Sequence, residues 1–126
     1  MKKILIVEDN ENNIMLFKII IESLGYETLS ARNGEEGVRM AKEQTPDLIL
    51  MDIQMPVMDG ISAMKALGSD ERTKHIPVIA LTSYAMMGDK ERLLKDGFTD
   101  YISKPISNEG FVEVVEKTLR KKDGRD

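Results

Sequence analysis

The chain has no cysteine, no tryptophan and only one histidine, His75, among its 126 residues. The absence of cysteine excludes disulfide bonds and thiolate metal sites. With a single imidazole available, a bound metal would have to rely on oxygen ligands, which favours hard cations such as Mg²⁺. Long apolar runs are also missing, since no segment approaches the roughly 18 consecutive apolar residues of a membrane-spanning helix. We therefore expect neither a disulfide scaffold, nor a soft-metal centre, nor a membrane span.

Charge is nearly balanced and dispersed. The formal net charge is -4, and lysines and arginines are scattered among acidic residues. Nucleic-acid backbones are bound by clustered cationic side chains, so direct nucleic-acid binding is not expected. An apolar fraction of 41% and a charged fraction of 32% are typical of a globular protein, and the length suits one domain. The apolar run Ile4–Val7 is too short for a secretory signal, so we expect a soluble cytoplasmic protein.

Short apolar runs alternate with longer amphipathic segments throughout the chain. The apolar runs predict strands at Lys3–Val7, Tyr26–Ala31, Asp47–Met51, Ile76–Leu81 and Thr99–Ser103. The amphipathic segments predict helices at Asn12–Leu24, Gly34–Glu43, Ile61–Leu67, Tyr84–Lys95 and Asn108–Lys121. This alternation predicts an α/β fold, a flavodoxin-like (βα)5 doubly wound parallel sheet.

The composition of the predicted strands indicates their order. The first, third and fourth are apolar on both faces, as central strands are, whereas the second and fifth carry polar residues suited to edges. This pattern fits the order 2-1-3-4-5, in which ligands bind beyond the carboxyl ends of the strands, between strands 1 and 3. Asn33 with Glu36 predicts a capped second helix, and Ser107 a capped fifth helix. Glycines that predict left-handed helix ends are Gly25, Gly68 and Gly97.

Polar side chains follow the strands at the edge where ligands are expected. They are Glu8 and Asp9 after the first strand, Asp52 after the third, Thr82 after the fourth and Lys104 after the fifth. Crowded carboxylates repel one another and need a counter-charge, which an oxygen-binding divalent cation such as Mg²⁺ would supply. Asp52 is then a candidate nucleophile for phosphoryl transfer, with Thr82 and Lys104 able to stabilise charge on the phosphoryl oxygens.

Four segments, in order along the chain, carry a resemblance to a known family. They are ILIVEDN at 4–10, DLILMDIQMPVMDG at 47–60, PVIALT at 77–82 and YISKPI at 101–106. On these motifs the chain resembles a response-regulator receiver domain of the CheY-like superfamily, in register from about residue 3 to residue 120. It looks most like stand-alone receivers of the cell-cycle (DivK-like) type, and also like receivers appended to hybrid histidine kinases. Glu8 stands where the family pattern has aspartate, a common variant that keeps the charge.

The resemblance implies a role for each matching residue. Asp52 would be the phosphoacceptor, and Glu8 and Asp9 would form the acidic pocket. Mg²⁺ would be bound by Asp9, Asp52 and the backbone carbonyl of Gln54.

The remaining motif positions would act on the phosphoryl group and on the response to it. Thr82 and Lys104 would hold the phosphoryl oxygens. The Lys104–Pro105 peptide bond would be cis, a form that is rare outside bonds to proline. Tyr101 would be the switch aromatic, turning inward when Thr82 moves toward the phosphoryl group.

The resemblance also implies a function in two-component signal transduction. The domain would accept a phosphoryl group from a sensor histidine kinase or a histidine phosphotransfer protein. It would then change its surface at the fourth helix, fifth strand and fifth helix, and so control a downstream signalling protein or relay the phosphate. It would catalyse only its own phosphorylation and slow dephosphorylation, and would be a monomer or a weak phosphorylation-linked dimer.

The expected domain organisation is one receiver domain over residues 1–121. The charged tail 122–126 follows it, and no output domain is expected. The alternative is a receiver domain excised from a hybrid histidine kinase or a larger regulator, because such a fragment would look the same.

Three rival functions are weighed against this one. Haloacid-dehalogenase-like phosphatases also phosphorylate a strand-end aspartate, but they need an acid/base aspartate where this chain has Gln54. A nucleotide- or flavin-binding module would need a glycine-rich phosphate loop after a strand, and none is present. A degenerate receiver acting only as a scaffold would have lost an acidic, threonine or lysine position, and all are present.

Two helices carry features whose meaning the sequence leaves open. The first helix has an inward stripe of Ile14, Phe17, Ile21 and Leu24. Met15 and Ile19 fall on nearly the opposite face, either as stray surface residues or as a docking site for a phosphotransfer helix. The fourth helix contains Gly88 and the charged run 89–92, so it is either a marginally stable switch element or a loosely packed surface helix.

Overall fold

The computed structural model describes residues 2–53, 58–82, 89–104 and 106–122 of the chain. The strands are β1 Lys3–Val7, β2 Glu27–Ala31, β3 Leu48–Asp52, β4 Val78–Thr82 and β5 Asp100–Ser103. The helices are α1 Glu11–Ser23, α2 Gly34–Gln44, α3 Gly60–Gly68, α4 Asp89–Lys95 and α5 Asn108–Lys122. Some of the sequence predictions lie outside the described residues. These are the start of the fourth helix, including Gly88; the motif residues Gln54 and Pro105; and residues 123–126 of the tail.

The five strands form one parallel sheet in the order β2-β1-β3-β4-β5. This confirms the predicted α/β architecture and strand order. Every residue of β3 and β4 is buried, as is β1 from Ile4 onward, whereas β2 and β5 each bury one residue, Ala31 and Ile102. Apolar burial on both faces is what central parallel strands require, and it explains why the polar sequences lie at the edges.

Helices cover both faces of the sheet. On one face α1 and α5 pack over side chains such as Ile6, Leu50 and Leu81, and the rings of Phe17 and Phe111 stack at a centroid distance of 5.2 Å. On the other face the buried residues of α2, α3 and α4 join the remaining strand side chains in a second core. The alternation of side chains along each strand divides one sheet between two apolar layers.

Ile53 and Met58, the described residues nearest the end of β3, lie close to the first residues of α3 and α2 respectively. A Cβ atom on Gly60 would lie 2.6 Å from the Cα of Ile53 and 2.8 Å from the carbonyl oxygen of Asp52. A Cβ atom on Gly34 would lie 2.2 Å from the carbonyl oxygen of Met58, which accepts a hydrogen bond from the Gly34 N–H at 3.1 Å. Only glycine fits at both positions, since a side chain on Gly60 would displace the backbone at Asp52 and Ile53, and one on Gly34 would displace the backbone of Met58.

Helix caps mostly follow the predictions. The Asn33 side chain accepts a hydrogen bond from the Glu36 N–H at 2.8 Å, and Ser107 Oγ accepts one from the Gly110 N–H at 3.2 Å. Gly25 and Gly97 adopt positive φ angles of 91° and 108° after their helices, as predicted.

The predicted left-handed end at Gly68 is wrong. Gly68 is the last residue of α3, and the cap is Ser69, whose N–H bonds back to carbonyls of the helix. Among the described residues, positive φ instead occurs at Thr45, which caps α2 at a φ of 41°. A β-branched residue in this conformation departs from the glycine rule used for the prediction.

None of the helices in the described part of the chain combines the length and apolarity needed to cross a membrane.

Candidate functional site

The site lies at the carboxyl edge of the sheet, beyond the ends of its three central strands. Asp52 is the last residue of β3 and Thr82 the last of β4, and both side chains are buried. The ladder continues past them, because the Ile53 N–H donates to Leu81 O at 3.2 Å and the Lys104 N–H donates to Thr82 O at 2.8 Å. The polar residues are therefore fixed by the same backbone hydrogen bonds that hold the core strands together.

Three carboxylates converge at this edge. Ligand oxygens of Glu8, Asp9 and Asp52 all lie within 4.8 Å of one another. Glu8 and Asp52 are buried, whereas Asp9 is exposed. Anionic oxygens at such spacing repel strongly where water cannot screen them. The cluster therefore requires positive charge close by.

Lys104 supplies the cationic group that the structure shows beside them. Its Nζ donates to Glu8 Oε1 at 3.2 Å and to Asp52 Oδ2 at 3.1 Å. Burial alone would lower the pKa of the Lys104 ammonium, but the hydrogen bond and charge of Asp52, with those of Glu8, raise it above its ordinary value. The ammonium is therefore charged throughout the neutral range.

Glu8 is the most perturbed carboxyl group of the site. Burial raises the pKa of Glu8 to about 7, and the adjacent Asp52 carboxylate adds to the rise. The Asn10 N–H, which donates to Glu8 Oε2 at 3.1 Å, and the charge of Lys104 act in the opposite direction. One ammonium thus fails to compensate two buried carboxylates, and the excess negative charge suits an additional cation.

Asn13 is a site residue that the sequence analysis missed. Its Nδ2 donates to Glu8 Oε1 at 3.3 Å. The residue lies on the first turn of α1, where the Asn10 side chain caps the helix by accepting from the N–H groups of Asn12 and Asn13. Side chains of a helix tilt toward its N-terminus, so a polar residue three positions after the cap was a detectable signal.

Thr82 and Tyr101 lie on the neighbouring strands β4 and β5. Thr82 ends the strand next to that of Asp52, and Tyr101 on β5 pairs with Ala80 of the same neighbouring strand. Tyr101 is half-buried and packs against the core shared by α2, α3 and α4. Two further predicted positions, Gln54 and Pro105, lie outside the described residues.

An apolar surface on α1 borders the site. Met15, Leu16 and Ile19 are 62%, 47% and 61% exposed. Leu16 also lines a groove of about 250 Å³, together with Asn13, Phe17, Lys104 and Ile106, whereas Met15 lines a separate cavity with Ile14, Lys18 and Arg32.

The inward stripe of α1 is confirmed at its centre. Phe17 and Ile21 are buried, while Ile14 and Leu24 are half-buried. Ile20 is also buried, and the predicted stripe omitted it.

The donor set fits a hard divalent cation. Carboxylate oxygens are the ligands that Mg²⁺ and similar ions prefer, and thiolate and imidazole ligands are absent from the described cluster. The exposed Asp9 leaves one side of the cluster open to solvent, so a bound ion could keep the waters that Mg²⁺ usually retains.

Comparison with known proteins identifies what the chain is similar to. The family model of the response regulator receiver domain matches residues 4–116. The polar-differentiation response regulator DivK of Brucella anthropi is 51% identical over 118 residues, covering 94% of this chain and 96% of DivK.

Solved structures agree with this similarity. The receiver domain of a Pseudomonas aeruginosa sensor histidine kinase, described with a magnesium ion coordinated in the active-site cleft, is 36% identical. It superimposes with a TM-score of 0.83 and covers 98% of each chain. The chemotaxis protein CheY4 of Vibrio cholerae is 27% identical with a TM-score of 0.86, over 93% of this chain and 98% of that one.

Proposed function

This chain belongs to the family of response regulator receiver domains, and from that premise we propose that Asp52 is its phosphoacceptor. The observation that carries the proposal is the buried pair of Glu8 and Asp52 around Lys104, with Asp9 at the solvent side. The carboxylate of Asp52 ends a central strand at the position where ligands of such sheets bind.

The acidic pocket would hold Mg²⁺. Asp9 and Asp52 would be ligands together with the backbone carbonyl of Gln54, and Glu8 would complete the negative charge. When bound, the ion neutralises the carboxylates and withdraws charge from the phosphoryl oxygens. The magnesium described in the P. aeruginosa relative supports this assignment, as does the oxygen-only donor set.

The phosphoryl step would use three side chains. An oxygen of Asp52 attacks phosphorus, and a new O–P bond forms as the bond between phosphorus and the donor's imidazole nitrogen breaks. The Lys104 ammonium, already within 3.1 Å of Asp52, would turn to the phosphoryl oxygens, and the Thr82 hydroxyl would donate to them. The product is an acyl phosphate, which only a carboxylate can form. An asparagine or serine side chain, or a water molecule, therefore could not take the part of Asp52 in this step.

The response would travel from Thr82 to Tyr101. Thr82 is on β4 and Tyr101 is on the adjacent strand β5, which forms the edge of the sheet beside α5. Movement of Thr82 toward the phosphoryl group would let Tyr101 turn inward and change the surface formed by α4, β5 and α5. That surface would control a downstream signalling protein, and the chain would be a monomer or a weak phosphorylation-linked dimer.

The phosphoryl donor would be a sensor histidine kinase or a histidine phosphotransfer protein in the cytoplasm. DivK, the more similar relative, is a response regulator, which favours this role over a receiver within a sensor kinase. The domain would occupy residues 1–121 and would catalyse only its own phosphorylation and slow dephosphorylation.

The donor would dock on the exposed face of α1. Leu16 lines the groove that contains Lys104, and Met15 and Ile19 are exposed within one turn of Leu16 on α1, so an apolar helix seated on these residues would lie beside the site. Met15→Ala with Ile19→Ala should slow transfer from a cognate phosphohistidine protein about tenfold, through lost apolar contact of roughly 1–2 kcal/mol. Phosphorylation by acetyl phosphate should be unchanged, because that donor needs no docking surface. Equal protein-to-protein transfer rates would contradict the docking site.

Intact mass after incubation with acetyl phosphate tests the phosphoacceptor. We expect one phosphoryl adduct that requires Mg²⁺ and is absent from Asp52→Asn. Asp47→Asn is a matched control, because Asp47 immediately precedes the same strand but lies at its opposite end. An adduct on Asp52→Asn, or none on the parent despite Mg²⁺ binding, would overturn the proposal.

A further inference from the structure

Glu8 is held by three hydrogen-bond donors, and each comes from a different part of the site. The Asn10 N–H donates to Oε2, while the Lys104 ammonium and the Asn13 amide both donate to Oε1. The side chain is only 1% exposed, so water does not substitute for a missing donor. A buried carboxylate oxygen that loses a donor is penalised by its own desolvation.

The donor shared with Asp52 is the one that must move. Lys104 bonds Glu8 and Asp52 at the same time, and in the proposed phosphoryl step it turns to the phosphoryl oxygens. Glu8 Oε1 then depends on Asn13, which is fixed by the first turn of α1 and takes no part in that step. Glutamate also has one more rotatable bond than aspartate, so its carboxylate needs more restraint to keep one orientation.

From this geometry we infer that Asn13 is a positioning residue: it orients the Glu8 carboxylate for a divalent cation and allows Lys104 to leave it. The inference deepens the proposed function and relies on it for the presence of the cation. Glu8 borders the proposed ligands Asp9 and Asp52, with carboxylate oxygens of all three within 4.8 Å of one another. Groups that hold the surroundings of a metal site in place set the orientation of its ligands, and their loss typically weakens metal affinity by about tenfold or more.

Binding of Mn²⁺, followed by the loss of the free-ion electron paramagnetic resonance signal, tests the inference without any phosphorylation. Asn13→Ala and the apolar, similar-sized Asn13→Leu should each weaken Mn²⁺ binding about tenfold. Asn12→Ala is the control, because Asn12 is an exposed neighbour on the same turn. Alanine and leucine differ in volume, so a loss of Mn²⁺ affinity in both variants would come from the missing hydrogen-bond donor to Glu8 and not from a change in packing. Wild-type affinity in both would overturn the inference.

A double-mutant cycle separates positioning from a general effect on α1. In a Glu8→Ala background, Asn13→Ala should change Mn²⁺ affinity less than about twofold, because the residue acts only through Glu8. Loss of equal size in both backgrounds would overturn the inference.

Thermal unfolding without metal checks the same point. Without metal, the Asn13 variants should unfold at nearly the same temperature as the parent. The increase in unfolding temperature that Mn²⁺ produces in the parent should be much smaller in the variants, and this loss should far exceed any difference seen without metal. A parent that binds Mn²⁺ but forms no phosphoryl adduct would contradict only the proposed function. An adduct together with unchanged Mn²⁺ affinity in the Asn13 variants would contradict only this inference.

Discussion

Asp47 and Asp52 lie at opposite ends of β3, and each carboxylate is paired with a lysine from a later part of the chain. Asp47 accepts the Lys3 N–H at 2.8 Å and the Lys122 Nζ at 3.0 Å, with its side chain 31% exposed. Partial burial acts to raise its pKa, but these two donors lower it below the ordinary value. The charge of Asp47 is therefore fully compensated.

The other end of the strand also has carboxylates beside a lysine, but there the carboxylates outnumber the lysine. Lys104 faces two buried carboxylates, Glu8 and Asp52, and exposed Asp9 lies within the same cluster. One carboxyl group, that of Glu8, has its pKa raised to about 7 by burial and by Asp52. The difference shows that one carboxylate paired with one lysine has its charge compensated, whereas an excess of buried carboxylates over lysine leaves negative charge that suits an additional cation.

Removing the lysine from each end gives the largest expected contrast. At pH 7.5 without metal, Lys104→Met should lower the free energy of unfolding by about 3–5 kcal/mol, because it removes the ammonium that bonds both buried carboxylates. Lys122→Met should lower it by less than about 1 kcal/mol, since its partner Asp47 is partly solvated. Urea unfolding followed by circular dichroism measures both.

Metal addition sharpens the same contrast. Mg²⁺ should recover part of the stability of Lys104→Met, since the ion supplies positive charge to the same oxygens, but should not alter the effect of Lys122→Met. The Lys104 variant should also take up phosphoryl groups from acetyl phosphate far more slowly. Equal losses of stability at the two ends would show that the carboxylate excess has no energetic effect.

The pH dependence should have opposite signs at the two ends. The pKa of Glu8 is about 7 in the folded chain against an ordinary value of 4.5, so the folded state takes up the proton first as pH falls. Stability without metal should therefore rise between pH 7.5 and about pH 5, by up to about 3 kcal/mol. The pKa of Asp47 is lowered, so its contribution is present above the ordinary value of 3.8 and is lost as pH falls below it.

Urea unfolding at a series of pH values measures this dependence. Glu8→Gln should remove the rise between pH 7.5 and pH 5, because glutamine does not titrate. Mg²⁺ should also remove it, since the ion stabilises the ionised form and competes with the proton. A rise of the same size in Glu8→Gln would assign the effect to another group.

Much of this contrast could be predicted from the sequence, because strand ends are marked by a change from apolar to polar residues. That change located Asp52 and Thr82, although it ended each strand one residue early. The structure includes both residues in the strands, since the backbone ladder continues through Ile53 and Lys104. A polar side chain at a strand end does not prevent its backbone from pairing.

Other features depend on contacts between distant residues and could not be predicted from local pattern. Ile20 is buried through the packing of α1 with α5, whose rings of Phe17 and Phe111 stack 94 positions apart in the sequence. The burial that raises the pKa of Glu8 requires the complete sheet edge. The bond from Asn13 to Glu8 requires the capped first turn of α1 to lie against that edge.

The same substitution at the two ends of β3 should change stability in opposite directions, although each effect is small. Asp52→Asn without metal should raise the free energy of unfolding by about 1 kcal/mol, because it removes the repulsion with Glu8 while Lys104 keeps one carboxylate partner. Asp47→Asn should lower it by about 1 kcal/mol, because it weakens the charged bond to Lys122 and leaves no repulsion to relieve. Urea unfolding of both variants, with and without Mg²⁺, measures the two signs, and added Mg²⁺ should stabilise Asp47→Asn more than Asp52→Asn. Loss of stability in both variants without metal would mean that Lys104 already compensates the buried carboxylates, and the carboxyl edge would then differ from the opposite edge only in burial.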